Sequence, residues 1–443
     1  MKRIVILLGL VALFSCARNV ETGYTVPDPE DVAMYQVNPR LYAAENSFKA
    51  FTTHIDSIRT LGMNVVWFMP ICEIGRDEKA MSSPYCVKDY KNVNPEYGTL
   101  DDFRNLVAKC HEKGLSVIMD WVANHTSWDN NWITEHPEWY THNEDGEIIF
   151  PENTNWADVA DLDFDNPEMR AAMIDAMKFW VEEVGVDGFR CDAADFVPFD
   201  FWQECVSALR AIPDRKLLLL AEGQRKDHFE AGFDMNYAWG YIATLRSIYG
   251  AGGRRGPALP ASALIDADAE EYDSIPAGCV KLRFTTNHDE TSKMSPIREF
   301  AGERGSMAAF VASTFIHGGA LIYDSQEVGY PGRINFFRYV PVDWQANSDL
   351  FQEYCKLMAL YNEYPAIRKG AVVPYPDNNV LMFGKVYSDD SSFLVCVNVR
   401  QERMTVKLPV GWAGQTCRDM MTGKEVKLGE TLALDPFEYV ILK

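Results

Sequence analysis

Val186-Asp-Gly-Phe-Arg-Cys-Asp192 and Leu217-Leu-Leu-Leu-Ala-Glu222 bracket a stretch, Phe201 to Ala211, in which apolar residues recur at spacings of three and four. The two flanking runs are short and apolar, and each gives way to a carboxylate. The segment therefore reads as strand, helix, strand, with an acid at the tip of each strand. Outward from it the alternation continues. Apolar runs of strand length lie at Val32–Val37, Met63–Phe68, Leu115–Trp121, Gly232–Met235, Val280–Thr285 and Ala320–Tyr323, making eight with the first two. Between them lie amphipathic stretches such as Phe48–Leu61, Leu100–Lys113 and Pro167–Val184. Strands alternating with helices form a parallel sheet, and eight units predict a closed (β/α)8 barrel, a TIM barrel of the α/β class. A doubly wound open sheet is the alternative, but no Gly-rich phosphate turn follows the first strand to support it.

The gap from Asp120 to Asp192 is too long for one strand–helix unit, and its excess, about 124–161, carries Trp128, Trp132, Trp139, Tyr140 and Trp156 among polar residues. That is a small insertion after the third strand, placed over the face where barrel enzymes build their sites. Its tryptophans are candidate sugar platforms or packing residues. From about residue 366 the helical period gives way to short alternating runs at Asn379–Tyr387, Ser392–Val399, Met404–Leu408 and Tyr439–Leu442, a C-terminal all-β sandwich over 366–443. The barrel domain is expected over 17–365.

The chain begins with a basic Met1-Lys2-Arg3 and an apolar run, Ile4 to Phe14, too short to span a membrane, followed by Ser15 and Cys16. This reads as a signal peptide over 1–15. Its Leu-x-Ser-Cys ending is similar to a bacterial lipobox, which implies lipidation of Cys16, export, and attachment to the bacterial envelope on its periplasmic or cell-surface side. No membrane contact beyond that anchor is expected. A formal charge of −22 argues against a nucleic-acid partner, which would need a basic face, while a neutral glycan stays compatible. The other nine cysteines follow no motif spacing, and Cys205, Cys355 and Cys396 sit in apolar segments, so a role as small buried hydrophobes is expected. Oligomeric state is left open.

The strand ends carry the chemistry. Asp120 ends the third strand in Asp120-Trp-Val-Ala-Asn124-His125; Arg190 and Asp192 end the fourth, Glu222 the fifth, and Asn287-His288-Asp289 the seventh. Glycosidic cleavage needs a carboxylate to attack, a carboxylic acid to protonate the leaving oxygen, and negative charge near an oxocarbenium-like centre. Arg190, two residues before Asp192, lies on the same strand face and can hold that carboxylate ionised.

These four segments, in order and spacing, resemble the signature regions of the α-amylase superfamily of glycoside hydrolases. The likeness continues through Gly62-Met-Asn-Val-Val-Trp-Phe-Met-Pro70, Asp89-Tyr-Lys-Asn-Val-Asn-Pro-Glu-Tyr-Gly-Thr99, Asp161-Leu-Asp-Phe-Asp-Asn-Pro167 and Gln326-Glu327. The resemblance implies that Asp192 is the nucleophile, Glu222 the general acid and later base, and Asp289 the transition-state stabiliser. It implies sugar contacts from Tyr85, His125 and His288, with Asp120 and Arg190 completing the substrate-binding set. The implied activity is retaining hydrolysis of α-glucosidic bonds, chiefly α-1,4 links of starch-like glucans, with an α-glucan as partner. A transglycosylase using the same residues, and a non-catalytic glycan-binding or scaffold protein, are the alternatives.

Three departures bear on this. Many members carry Lys-His shortly after the nucleophile, where this chain has Asp195-Phe196, so a usual leaving-side contact is missing. Asn124 and Asp161 match two ligands of the family's calcium site, but Phe196 stands where a His supplies another; no cofactor is required, and calcium binding stays open. Cys86 replaces a polar residue common in members that cut single glucose units from chain ends, which favours internal cleavage.

Overall fold

The computed structural model describes residues 24–250, 258–388 and 391–443. Its central element is a closed barrel of eight parallel strands: β1 (Ala33–Val37), β2 (Val65–Phe68), β3 (Ser116–Trp121), β4 (Gly188–Cys191), β5 (Leu218–Ala221), β6 (Met235–Tyr237), β7 (Val280–Arg283) and β8 (Gly319–Tyr323). Each pairs with its neighbours in chain order, and β1 closes on β8 through Ala33 opposite Ala320. These strands are buried on both faces, which is why they read as continuous apolar runs rather than as alternations.

Several boundaries differ from the sequence reading. The sixth strand was expected at Gly232–Met235 and instead begins at Met235. Gly232 holds φ +101° in a turn, and the Asp234 carboxylate accepts the Leu219 amide at 2.8 Å, so these residues serve the connection. The stretch Phe48–Leu61 forms two helices, Ser47–Thr52 and Ile55–Thr60. Between them the Thr52 and Thr53 hydroxyls donate back to the Lys49 and Ala50 carbonyls, competing with the helical ladder. The stretch Pro167–Val184 is α-helical to Phe179 and then widens into a π turn that ends at Gly185 with φ +89°.

The insertion is closed at its base by an antiparallel pair, His125–Ser127 with Val159–Asp161, in which His125 lies opposite Asp161. A second excursion, unforeseen from the sequence, follows β2: the hairpin of Cys72–Ile74 with Val87–Val93, whose connection carries Tyr85. The helix Pro365–Lys369 runs four residues into the span expected to be all-β, because Pro365 at a helix's first position needs no amide partner. Beyond it, Ala371–Pro374, Val380–Ser388, Ser391–Asn398 and Tyr439–Leu442 form an antiparallel sheet. One face of this sheet, through Leu381, Phe383, Phe393, Val395 and Val397, joins the main core with the barrel; the other packs Met382, Leu394 and Cys396 on Val406, Leu408 and Leu434 of the second layer. The nine cysteines from Cys72 onward are free thiols; Cys205 and Cys396 are buried, Cys355 only partly. The 1–15 leader and Cys16 lie outside the described residues, and no helix among those described is long and apolar enough to cross a membrane.

Candidate active site

The barrel ladder places the reactive carboxylates. Asp120 in β3 sits opposite Arg190 in β4, and the pairing runs one residue past the strands: the Asp192 amide donates to the Trp121 carbonyl at 2.8 Å and the Glu222 amide to the Cys191 carbonyl at 2.9 Å. Asp192 and Glu222 therefore leave adjacent strands at the same level, at the C-terminal mouth.

Arg190 organises what they do. Its side chain is fully buried, with one terminal nitrogen donating to Asp120 Oδ1 at 2.6 Å and to Asp192 Oδ1 at 2.8 Å. The other lies 2.8 Å from Glu222 Oε1, and Nε donates to the Tyr237 hydroxyl at 3.1 Å. Trp67 and Tyr237 flank the guanidinium, at 5.2 and 5.6 Å from its carbon. Glu222 is fixed further by the Ala193 amide, which donates to Oε2 at 2.7 Å. To aim that amide, Ala193 takes φ +45°, a left-handed conformation unfavourable for a residue with a Cβ, so backbone strain is stored between the two carboxylates.

Three carboxyl groups facing one guanidinium give the cluster an excess of negative charge. Burial pushes the Asp120 carboxyl up to about 7, with Arg190 pulling down and Glu222 pushing up. Burial and the charge of Glu222 push Asp192 well above the carboxylate range against the pull of Arg190. A site so poised retains a proton that isolated carboxyls would have lost.

The second half comes from β7 and the loops. Asn287 caps the helix His288–Lys293, its side chain accepting the amides of Asp289 and Glu290, and this turns Asp289 toward the mouth. Burial and the neighbouring Glu290 raise Asp289, while Arg190 and Lys293 draw it down. His288 is bonded on both ring nitrogens, by Gln36 at 2.7 Å and the Tyr85 hydroxyl at 2.6 Å, and burial holds it neutral with a pKa of about 3. Tyr85 lies parallel to the His288 ring, at 5.5 Å and 20°, and its hydroxyl reaches Asp120 at 3.4 Å. His125 is also neutral, lowered by burial to about 4. A cleft of about 560 Å³ opens beside Asp289, lined by Trp239, Lys293, Asn335, Phe336 and Phe337.

The structure thus brings Asp120, Arg190, Asp192, Glu222, Tyr85 and His288 into one connected set, with Asp289 3.5 Å from His288. His125 joins them through a hydrogen bond with the Tyr85 backbone, and its ring lies 5.6 Å from that of Trp156. Trp132 packs between Tyr90 and Trp139, each at 5.1 Å, and so fastens the insertion to the hairpin after β2 and the main core. Trp128 donates its indole N–H to the Ala157 carbonyl under Lys79. Sequence reasoning missed Gln36 and Trp67, which lie inside apolar runs, Tyr237, which lies past the run expected for the sixth strand, and Phe336-Phe337, an adjacent aromatic pair in the long loop after the eighth strand.

Asn124 and Asp161 stand at the base of the insertion. Burial raises the Asp161 carboxyl to about 6, and it has no ion-pair partner among the described residues, so a cation there would relieve it. The two offer at most three side-chain oxygens of the six to eight calcium takes. No group of three or more His, Cys, Asp or Glu side chains able to hold a metal occurs among the described residues. The residues present do not by themselves make a calcium site, and no chemical step is routed through one.

Residues 47–238 match the family model for the α-amylase catalytic domain, and residues 372–441 that for the maltogenic amylase C-terminal domain. The chain belongs to the α-amylase superfamily. Its fold is similar to an α-amylase from Lactobacillus plantarum, with a TM-score of 0.82, 26% identity, and coverage of 94% of this chain and 99% of that one. It is equally similar to a noncanonic maltogenic α-amylase, AmyB, from Thermotoga neapolitana, with a TM-score of 0.83, 25% identity and the same coverage. Among curated proteins, α-amylase MalA of Haloarcula japonica is 27% identical over 418 residues, 89% of this chain and 59% of the relative. An α-1,4-glucan:maltose-1-phosphate maltosyltransferase of Rhodospirillum rubrum is also 27% identical, over 83% of this chain and 57% of its own length. The chain thus spans less than two thirds of these two curated relatives.

Proposed function

We propose that the chain is a retaining glycoside hydrolase that cleaves α-glucosidic bonds, chiefly α-1,4 links within starch-like glucans and malto-oligosaccharides. One observation carries the reading: a single buried guanidinium, Arg190, gathers Asp120, Asp192 and Glu222 at the mouth of the barrel. Asp192 and Glu222 leave adjacent strands at the same level and each lies 2.8 Å from that guanidinium, which keeps the two carboxyl groups on one side of the mouth.

Asp192, held as a carboxylate by Arg190, attacks the anomeric carbon while Glu222, as general acid, gives a proton to the glycosidic oxygen. The bond to the leaving sugar breaks and a covalent glycosyl-enzyme forms. Water, deprotonated by Glu222, then releases the sugar from Asp192 with its configuration restored. Asp289 places negative charge near the oxocarbenium-like centre, and neutral His288, whose Nε2 can exchange the Tyr85 hydroxyl for a sugar hydroxyl, adds no positive charge beside it. Transfer to a sugar acceptor uses the same steps, with an acceptor hydroxyl in place of water. Export and lipid attachment at Cys16 form part of the proposal; palmitate labelling that is lost in Cys16→Ala checks them.

Product profiles on amylose, pullulan, cyclodextrin and trehalose test the reading. Oligosaccharides released from amylose with retained anomeric configuration are expected. Cleavage of none of the four overturns it.

A further inference from the structure

Asp195 and Phe196, the two residues that depart most from the family pattern, are turned to different tasks. The Asp195 carboxylate accepts the amides of Gln224 and Arg225 at 3.1 and 3.3 Å and lies 3.4 Å from His228 Nε2. Gly223 makes this approach feasible, since a Cβ there would meet Asp195 Oδ1 at 2.3 Å. Asp195 thus ties the loop after β4 to the loop after β5 that begins with Glu222, and its charge is spent on backbone. Phe196 points the other way. Half of it is exposed, 51%, an unusual state for a large apolar ring beside an active site. Its ring centre is 5.1 Å from that of Trp156 at 47°, and Trp156 is in turn 5.6 Å from His125.

These contacts form a continuous aromatic wall running outward from the sugar-binding His125. The wall lies on a definable side of the scissile bond. Glu222 protonates the leaving oxygen, so the leaving sugar lies on its side, and the loop that carries Phe196 is bonded directly to Glu222. The Ala193 amide donates to Oε2 at 2.7 Å and the Ala194 amide to the Glu222 carbonyl at 3.0 Å.

We propose that Phe196 and Trp156 form the leaving-side sugar platform of this enzyme, holding the glucose beyond the scissile bond by stacking, with Asp195 as the positioning residue that keeps the platform and Glu222 in register. An aromatic face meets the C–H face of a pyranose without requiring a fixed hydroxyl pattern. The platform therefore recognises an α-linked glucosyl unit whichever hydroxyl joins it to the next, and it serves an incoming acceptor sugar as well as a leaving one. The inference rests on the hydrolase reading above.

The test compares maltotetraose, which places glucose on the platform, with α-maltosyl fluoride, whose leaving group is a single atom and makes no use of it. In Phe196→Ala and Trp156→Ala, made in the full chain, the ratio of kcat/KM on maltotetraose to that on the fluoride is expected to fall about tenfold, because binding energy remote from the reacting bond is lost. Phe196→Tyr is expected to restore the ratio, and acceptor transfer to fall with it in both alanine variants. An unchanged ratio, whether both activities hold or both drop together, overturns the platform. A wild-type chain active on the fluoride while the ratio stays fixed leaves the hydrolase reading standing and removes only this inference; inertness toward both substrates overturns both.

Discussion

The barrel holds two buried arginines that look alike and behave differently. Arg283 in β7 faces the surrounding helix Ala263–Tyr272, donating to Asp268 at 2.6 Å, to Glu271 at 2.5 Å and to the His317 carbonyl at 2.9 Å, with Tyr241 stacked 4.0 Å from its carbon. Burial pushes Asp268 up, but His317, Arg283 and Lys385 outweigh it and the carboxyl sits below its usual range. Arg190 meets three carboxylates with no second cation in hydrogen-bond reach among the described residues, and there Asp120 and Asp192 are both pushed up. The same guanidinium chemistry closes one cluster and leaves the other overcharged. A compensated cluster holds the barrel to its helices, whereas an overcharged one keeps a proton and an attacking group ready.

The sharpest way to break the contrast is at the reacting groups. Asp192→Asn and Glu222→Gln are each expected to lower kcat by at least about 10⁴-fold. Thermal unfolding should show a Tm equal to or above wild type, since each change removes surplus negative charge. Full activity in either variant would sink the assignment. On the other side, Arg283→Met strands two carboxylates and is expected to cost about 3–5 kcal/mol, read as a lower denaturation midpoint. A Tm within a degree of wild type would show that the compensated cluster does not hold the barrel.

Asp120 sharpens the comparison through pH. In the folded chain it keeps its proton to about 7, while in the unfolded chain it loses it near the ordinary carboxylate value. The folded state therefore binds the extra proton between the two, and the stability this gives is lost as pH rises through that window. In Asp120→Asn the fall in Tm from pH 5 to pH 8 should be smaller than in wild type; an equal fall would contradict the raised pKa. Asp195→Ala, which loosens the loop of Glu222, is expected to lower kcat about tenfold with a smaller change in KM, a split that steady-state kinetics reads directly. The smallest effect concerns metal: removing divalent cations with EDTA should leave kcat/KM within about twofold. A larger loss would show that Asn124 and Asp161 recruit enough backbone oxygens to hold an ion on which activity depends.

Much of this was legible before any coordinates. A strand such as Leu218–Ala221 announces itself because burial on both faces demands an apolar run, and Glu222 announces itself by ending one. Short elements were less legible: β6 is three residues long, and its boundary turned on the Asp234 side chain serving Leu219 from a distance. The hairpin carrying Tyr85 was missed because its strand Val87–Val93, with Val87, Tyr90 and Val93 buried and polar residues between them, has little apolar pattern to read.

What the sequence alone determined is the alternation that makes a barrel and the placement of Asp120, Arg190, Asp192 and Glu222 at strand ends; Asp289, expected at the end of the seventh strand, lies instead in the first turn of the helix that follows it. Those facts are periodic and local, and a residue's neighbours in the chain are enough to state them. Only the tertiary structure decided how they act together. Arg190 meets Asp120 across 70 positions, Tyr85 meets His288 across 203, and Gln36 meets His288 across 252. It also decided that Asp195 turns inward to the Glu222 loop while Phe196 turns outward to Trp156. Contacts of that range form only when the closed sheet brings its strand ends to one rim, and no window along the chain encodes them.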